Sequence, residues 1–209
     1  MLLAVPGVLN AAQLDKIRES LADARFVDGR LTAGRAAARV KNNEELEPDP
    51  RIHQRITRIA MSALGHNADF RNAALPHRMA DFIVARYQPG MTYGDHVDDP
   101  IMGNAGPRFR SDVSMTLFLN PPDSYDGGEL VIRSAFGDRH VKLAAGDAVV
   151  YPSSSVHQVA PVTRGERLVI LTWIQSYVRD AARRELLFEL NRAREHLLSK
   201  EPDADTTKH

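Results

Sequence analysis

Tyr93-Gly94-Asp95-His96-Val97-Asp98 decides the fold class of this 209-residue chain. His96 and Asp98, two residues whose side chains carry metal-binding donors, stand two positions apart. On a strand, residues i and i+2 project to the same side, so both can face one point while Val97 turns into packing. On a helix, with 3.6 residues per turn, they would stand about 200° apart. The pair makes chemical sense only as a strand or a strand end. Asp99 has the opposite parity and falls outside the group. A His-x-Asp pair is a short motif that arises often by chance, so its reading depends on the surrounding chain.

Outward from this stretch, short β-rich runs alternate with turn residues from about Met79 onward, the pattern of an all-β barrel or sandwich. The runs are 80–87, 93–98, 112–119, 129–134, 139–143, 147–151, 156–160 and 167–177. Gln88-Pro89-Gly90, Asp126-Gly127-Gly128, Phe136-Gly137-Asp138, Ala145-Gly146-Asp147 and Arg164-Gly165-Glu166 break them. Eight strands with tight connections can build two facing sheets, a jelly roll. One connection is long: Asp99 to Ser111, with two prolines and two glycines, reads as a candidate lid or a plain surface loop.

Helices flank this region. Asn10 with Gln13 forms a capping box ahead of Leu14, Ile17, Leu21 and Ala24. Asp49-Pro50 opens a second helix with the stripe Ile52, Ile56, Ile59 and Ala63, and Gly65 is the expected stop. Residues 27–48 read as irregular. Asp180 is the expected cap of a helix over 181–199 with the stripe Leu187, Leu190, Ala193 and Leu197 turned to the core. The polar residues 201–209 are expected to fray. The expected divisions are 1–78, an N-terminal helical segment packing on the core; 79–178, the β core; and 179–209, the C-terminal helix and tail. The class is α+β.

Composition narrows the partners. Lys+Arg and Asp+Glu both number 27, and this balance gives no support to nucleic-acid binding, whose footprint is usually basic. With no cysteine, disulfides, zinc thiolates and cysteine nucleophiles are excluded. Met1 to Gly7 is apolar but too short for a signal sequence and lacks a basic start. No apolar run approaches the roughly 18 residues that span a bilayer. A cytoplasmic protein without membrane partners is expected, its oligomeric state open.

Two residues extend the His96/Asp98 pair. His157 opens a late strand, a placement that His53, His66, His77, His140, His196 and His209 do not share. Two imidazoles and one carboxylate on one face of an iron form the facial triad, which leaves positions open for a co-substrate and O2. Arg167 opens Arg167-Leu168-Val169-Ile170-Leu171-Thr172-Trp173-Ile174, an apolar run that reads as a buried strand, with Arg167, Val169, Leu171 and Trp173 on one face. A buried guanidinium needs an anion, because arginine keeps its proton. The neighbouring Glu166 has the wrong parity, so a bound dicarboxylate would satisfy the guanidinium, or the strand-end arginine reaches solvent or a distant Asp or Glu. The His157 and Arg167 strands are expected to form an antiparallel pair joined at Thr163-Arg164-Gly165-Glu166. Tyr87 and Tyr93 precede the His-x-Asp pair, and either phenol could reach a co-substrate carboxylate or simply pack. Trp173 is expected to pack.

Taken with Asp28-Gly29-Arg30-Leu31-Thr32-Ala33-Gly34, Val40-Lys41-Asn42-Asn43, Arg86-Tyr87-Gln88-Pro89-Gly90, Asp126-Gly127-Gly128-Glu129-Leu130, the stretch from His157 to Arg167 and Thr172-Trp173-Ile174-Gln175-Ser176, the chain resembles the bacterial PKHD-type hydroxylases. These are Fe(II)/2-oxoglutarate-dependent dioxygenases of the prolyl 4-hydroxylase type. The resemblance implies a double-stranded β-helix (jelly-roll) core and Fe(II) on His96, Asp98 and His157. It implies 2-oxoglutarate held by Arg167 and L-ascorbate (vitamin C) as the reductant that rescues oxidised iron; Tyr87, on the residue reading above, is the candidate further co-substrate contact. It also implies O2 as co-substrate, C–H hydroxylation coupled to decarboxylation of 2-oxoglutarate to succinate, and a link to iron homeostasis. The primary substrate is left open between a protein side chain and a small molecule such as a siderophore, with 99–111 and 27–48 as expected specificity segments. Three alternatives stand beside this: a cupin-like metal enzyme, which usually brings two histidines where His96-Val97-Asp98 stands; a nucleic-acid demethylase, which carries a further arginine where Trp173 stands; and a non-enzymatic iron/2-oxoglutarate sensor.

Overall fold

A computed structural model describes residues 1–103 and 108–200. The chain begins with β1 (Leu3–Val5), α1 (Ala11–Leu21), β2 (Phe26–Asp28), β3 (Lys41–Asn42) and β4 (Glu44–Leu46). There follow α2 (Pro50–His66), α3 (Ala68–Ala74), β5 (Pro76–Met79), β6 (Ile83–Tyr87) and β7 (Thr92–His96). Next are β8 (Ile101–Met102), β9 (Phe109–Arg110), β10 (Val113–Phe118), β11 (Asp126–Gly127), β12 (Leu130–Ile132) and β13 (Arg139–Val141). The last elements are β14 (Ala148–Pro152), β15 (His157–Val159), β16 (Val162–Arg164), β17 (Arg167–Ser176) and α4 (Ala181–Lys200).

Two antiparallel sheets face each other as a jelly roll. The larger runs β1-β14-β10-β17-β6-β4-β2, with β5 pairing the far end of β17; the smaller runs β13-β12-β15-β7-β3. Strand alternation explains why the larger sheet is apolar throughout: it is covered on both faces. Met115, Leu117, Leu168, Ile170 and Ile174 point outward and pack with Ile17, Ile56, Phe70 and Phe188 of the helices. Phe118, Val149, Tyr151 and Val169 point inward and pack with Leu130, Ile132 and Val159 of the smaller sheet. Fully burying such a side chain is worth about 1.5–3 kcal/mol, so the helical layer is part of the folded unit.

Each of the eight expected β runs contains a strand, and the three expected caps are present, Asp180 accepting from the Arg183 N–H. Asn10 Oδ1 accepts from the Gln13 N–H while Gln13 Oε1 accepts from the Asn10 N–H, both at 2.9 Å. Asp49 accepts from the N–H groups of Arg51 and Ile52.

Several expectations are corrected. The 27–48 segment is not irregular: β2 and β4 extend the larger sheet and β3 edges the smaller one, so the expected helical segment 1–78 also supplies sheet edges. These strands are two or three residues long, too short for periodicity to show. Gly65 does not stop α2, which ends at His66; Asn67 closes it and caps α3 by accepting from the Phe70 N–H. The strands of His157 and Arg167 do not pair. β16 intervenes and pairs with β11, so β15 lies in the smaller sheet and β17 in the larger, facing each other across the core. The leucine stripe of α4 faces outward, with Leu187 44%, Leu190 57% and Leu197 46% exposed. Arg184 and Phe188, one turn apart, are the face that docks, because the Arg184 guanidinium donates to the carbonyls of Val178, Arg179 and Asp112. The expectation for 201–209, and the centre of the 99–111 connection, lie outside the described residues.

Candidate active site

A cavity of about 220 Å³ opens between the two sheets, and His96, Asp98, His157, Tyr87, Tyr93, Arg167 and Trp173 all line it. His96 ends β7 and His157 begins β15, and the two residues face each other directly in the antiparallel register. Their ring centroids are 4.2 Å apart. Asp98 follows two residues past His96. One ligand atom from each of the three lies within 4.8 Å of the others, so the group could hold a metal ion.

The local register shapes this group. Between the pairs His157↔His96 and Val159↔Tyr93, β7 carries one residue more than β15, a β-bulge. The bulge reverses the alternation, so Tyr93 and His96 reach the same side and stack at 3.7 Å. Gly94 sits in the bulge, where an added Cβ would stand 3.0 Å from Val40 Cβ. The Gly94 carbonyl lies 2.8 Å from His96 Nδ1, and the Ser155 carbonyl 3.0 Å from His157 Nδ1. A carbonyl only accepts, so each Nδ1 carries the hydrogen, and Nε2 is the ring nitrogen left to serve a metal. Burial, and then the neighbouring His157, push His96 down to about 4, so it is neutral at physiological pH, the form a metal needs. The Asp98 oxygens are divided: Oδ1 is 3.8 Å from His157 Nε2, and Oδ2 accepts from Ser114 Oγ at 2.5 Å. Donor set, tautomers and burial suit a divalent iron with open positions.

Arg167 stands deeper in the cavity, 2% exposed. Its guanidinium packs 5.0 Å from the Tyr87 ring centroid, its cross-strand neighbour, and 5.6 Å from that of Phe118. Among the described residues it makes no ion pair, and its Nε has no hydrogen-bond partner. Glu166 points away, 4.0 Å from Arg86. A buried, unpaired cation in a cavity is the signature of a missing anion. Burial raises the Tyr87 hydroxyl to about 12, so it stays a neutral donor beside that cation. Gly128, with φ +67°, leaves room for this side chain, since a Cβ there would come 3.1 Å from Arg167 Cδ.

One wall of the cavity comes from the 27–48 segment, expected to bear on specificity, although none of its residues was singled out from the sequence as a site residue. Thr32, Lys41, Asn43 and Glu45 line it, and the last three are buried. Glu45 accepts from Lys41 Nζ at 2.5 Å and from Thr32 Oγ1 at 2.6 Å. The i,i+4 Lys-Glu spacing was visible, but in a segment read as irregular it carried no burial signal. Ser114 and the cavity position of Trp173 were missed as well.

The match to known proteins agrees with this geometry. Residues 82–175 match the 2OG-Fe(II) oxygenase superfamily. A PKHD-type hydroxylase of Thioalkalivibrio sulfidiphilus is 51% identical over 208 residues, covering 100% of this chain and 93% of the relative. One from Synechococcus elongatus is 45% identical over 201 residues, covering 96% and 90%. Among solved structures, a Pseudomonas putida prolyl-4-hydroxylase is similar with a TM-score of 0.53 at 23% identity, covering 85% of this chain and 93% of that one. A Trichoplax adhaerens prolyl hydroxylase, in complex with a hypoxia inducible factor peptide fragment, is similar with a TM-score of 0.63 at 17% identity, covering 88% and 86%. These structures share the fold. The class is thus the Fe(II)- and 2-oxoglutarate-dependent dioxygenases, which use O2 and a second substrate. Within it, the chain belongs to the PKHD-type hydroxylase family. No helix among the described residues is long and apolar enough to cross a membrane.

Proposed function

We propose that His96, Asp98 and His157 hold the Fe(II), and that Arg167, assisted by Tyr87, holds 2-oxoglutarate by its far carboxylate. The observation that carries this is the buried, unpaired Arg167 guanidinium facing the same cavity as three converging donors. Iron, when bound there, supplies the O2 activation that lets an unreactive C–H bond be hydroxylated. The chain's residues do the rest. The two Nδ1–H···O=C bonds fix the imidazoles, and Ser114 fixes the carboxylate. The planar guanidinium fork fits a carboxylate through two parallel bonds and sets the orientation of the co-substrate. Val159, Val169 and Leu171 supply apolar walls that keep water from the reacting atoms.

The primary substrate is a protein side chain or a small molecule such as a siderophore. Gly34 and Asp99 both line the cavity and lie close together, an added Gly34 Cβ standing 3.0 Å from Asp99 Oδ2, which supports substrate selection by the segments that carry them. Ascorbate restores oxidised iron and the protein works in iron homeostasis, as the family resemblance implies, and the lack of cysteine fits a cytoplasmic location. The test is anaerobic: Fe(II) with 2-oxoglutarate should give a visible charge-transfer band that weakens in Arg167→Leu at modest co-substrate concentration. Incubation with cell extract under oxygen-18 should then label a product. A band that forms equally well in the Arg167 variant refutes the assignment of the co-substrate site.

A further inference from the structure

Among the described residues, four buried side-chain polar atoms lack a hydrogen-bond partner: Nδ2 and Oδ1 of Asn43, the Tyr125 hydroxyl and Arg167 Nε. Asn43 and Arg167 both line the cavity. A buried amide left without partners is unfavourable, so it points to something that binds there.

The topology explains why Asn43 is there. β3 pairs with β7 in the smaller sheet, and β4 pairs with β6 in the larger one. Asn43 is the single residue between them, where the chain crosses from one sheet to the other and closes that side of the sandwich. The register Glu44↔Arg86 sets Asn43 beside Tyr87, and Tyr87 is the partner of Arg167. The three residues form a row facing the cavity. The position is held firmly: the Asn43 carbonyl accepts from the Gly29 N–H at 2.9 Å, and a Cβ on Gly29 would fall 2.1 Å from Asn43 Oδ1. Thr32, Lys41 and Glu45 satisfy one another, so the Tyr87 hydroxyl is the polar group beside the amide, close enough to interact with it but without the geometry of a full hydrogen bond.

We infer that Asn43 is a third binding residue for the distal carboxylate of 2-oxoglutarate, donating from Nδ2 beside Arg167 and Tyr87. A carboxylate offers about four lone-pair sites, enough for a guanidinium fork, a phenol and one amide N–H. The inference rests on the reading of Arg167 given above.

The test is calorimetric titration of the protein loaded with Mn(II), a redox-silent substitute for Fe(II). The ligands are 2-oxoglutarate and 2-oxobutyrate, which has the same 2-oxo acid head but no distal carboxylate. Asn43→Ala should weaken 2-oxoglutarate about ten-fold, as for a lost hydrogen bond to a charged group, and leave 2-oxobutyrate unchanged. Asn43→Asp, nearly the same shape, should weaken 2-oxoglutarate further, because it sets like charges together. Equal loss for both acids, or no loss for 2-oxoglutarate, overturns the role of Asn43 while Arg167→Leu still separates the two acids. If Arg167→Leu fails to separate them, the Arg167 reading falls and takes this inference with it.

Discussion

Ser114 Oγ stands 2.5 Å from Asp98 Oδ2 and ties the larger sheet to the residue two positions past the end of β7 in the smaller one. The hydroxyl has one proton and gives it to the carboxylate. Ser153 Oγ, 2.8 Å away and buried, therefore donates to Ser114. The relay leaves Oδ1 as the one Asp98 oxygen directed at His157. A carboxylate so divided offers a metal a single donor in a fixed direction.

Ser114→Ala should therefore loosen metal binding without removing a ligand. The expected loss of Mn(II) or Fe(II) affinity is about 10- to 100-fold, the usual range for a partner behind a ligand, while the fold loses only about 1 kcal/mol. Metal titration with urea unfolding of the metal-free variant checks both. An unchanged metal affinity would mean that the serine only packs.

Arg167→Leu should separate folding from binding. A buried cation without a partner opposes folding, and replacing it with an apolar side chain is neutral or stabilising. The melting temperature of the ligand-free variant should equal or exceed that of the parent. The rise that 2-oxoglutarate gives the parent, through binding to the native state alone, should vanish. A variant that melts lower without ligand would show that Arg167 is satisfied inside the protein.

What the sequence made legible follows the length of its signals. β17 spans ten residues and β10 six, and their apolar runs and flanking turns could be read directly. His96, Asp98, His157 and Arg167 were visible because chemistry restricts which residues do such work. β3 and β4, with two and three residues, gave no period to detect. The expected pairing of β15 with β17 failed because a turn between two strands does not reveal that the chain changes sheets through β16. The bulge at Gly94 was hidden for a related reason: strict alternation places Tyr93 and His96 on opposite faces, and one extra residue brings them together. On α4, leucine spacing suggested the wrong face because a buried arginine, Arg184, sets the docking.

The Lys41–Glu45 pair lies at 2.5 Å, with side chains 7% and 4% exposed. Removing one partner strands the other charge, so Lys41→Met alone should cost about 3–5 kcal/mol in urea unfolding. Lys41→Met with Glu45→Leu should recover most of that loss, since an apolar pair of similar volume replaces the ions. If the double variant is as unstable as the single one, the pair is needed to place β3 and β4, and the 2-oxoglutarate affinity of the double variant should then fall too.

The pH dependence of the metal-free protein should carry the mark of His96, whose pKa falls from 6.5 to about 4 on folding, chiefly through burial and then through His157. Below about pH 6.5 the unfolded chain takes up a proton that the folded one refuses until about pH 4. The unfolded state binds more protons in that window, so stability falls as the pH drops through it and levels off below. The slope from one such group is at most about 1.4 kcal/mol per pH unit. His96→Gln removes this proton and nothing else that titrates, so its urea midpoint should decline less steeply than the parent's from about pH 7 down to about 4. Mn(II) should steepen the parent's decline, because metal and proton compete for the same Nε2. Parallel declines for parent and variant, with no metal effect, would mean that His96 is not held neutral in the folded protein.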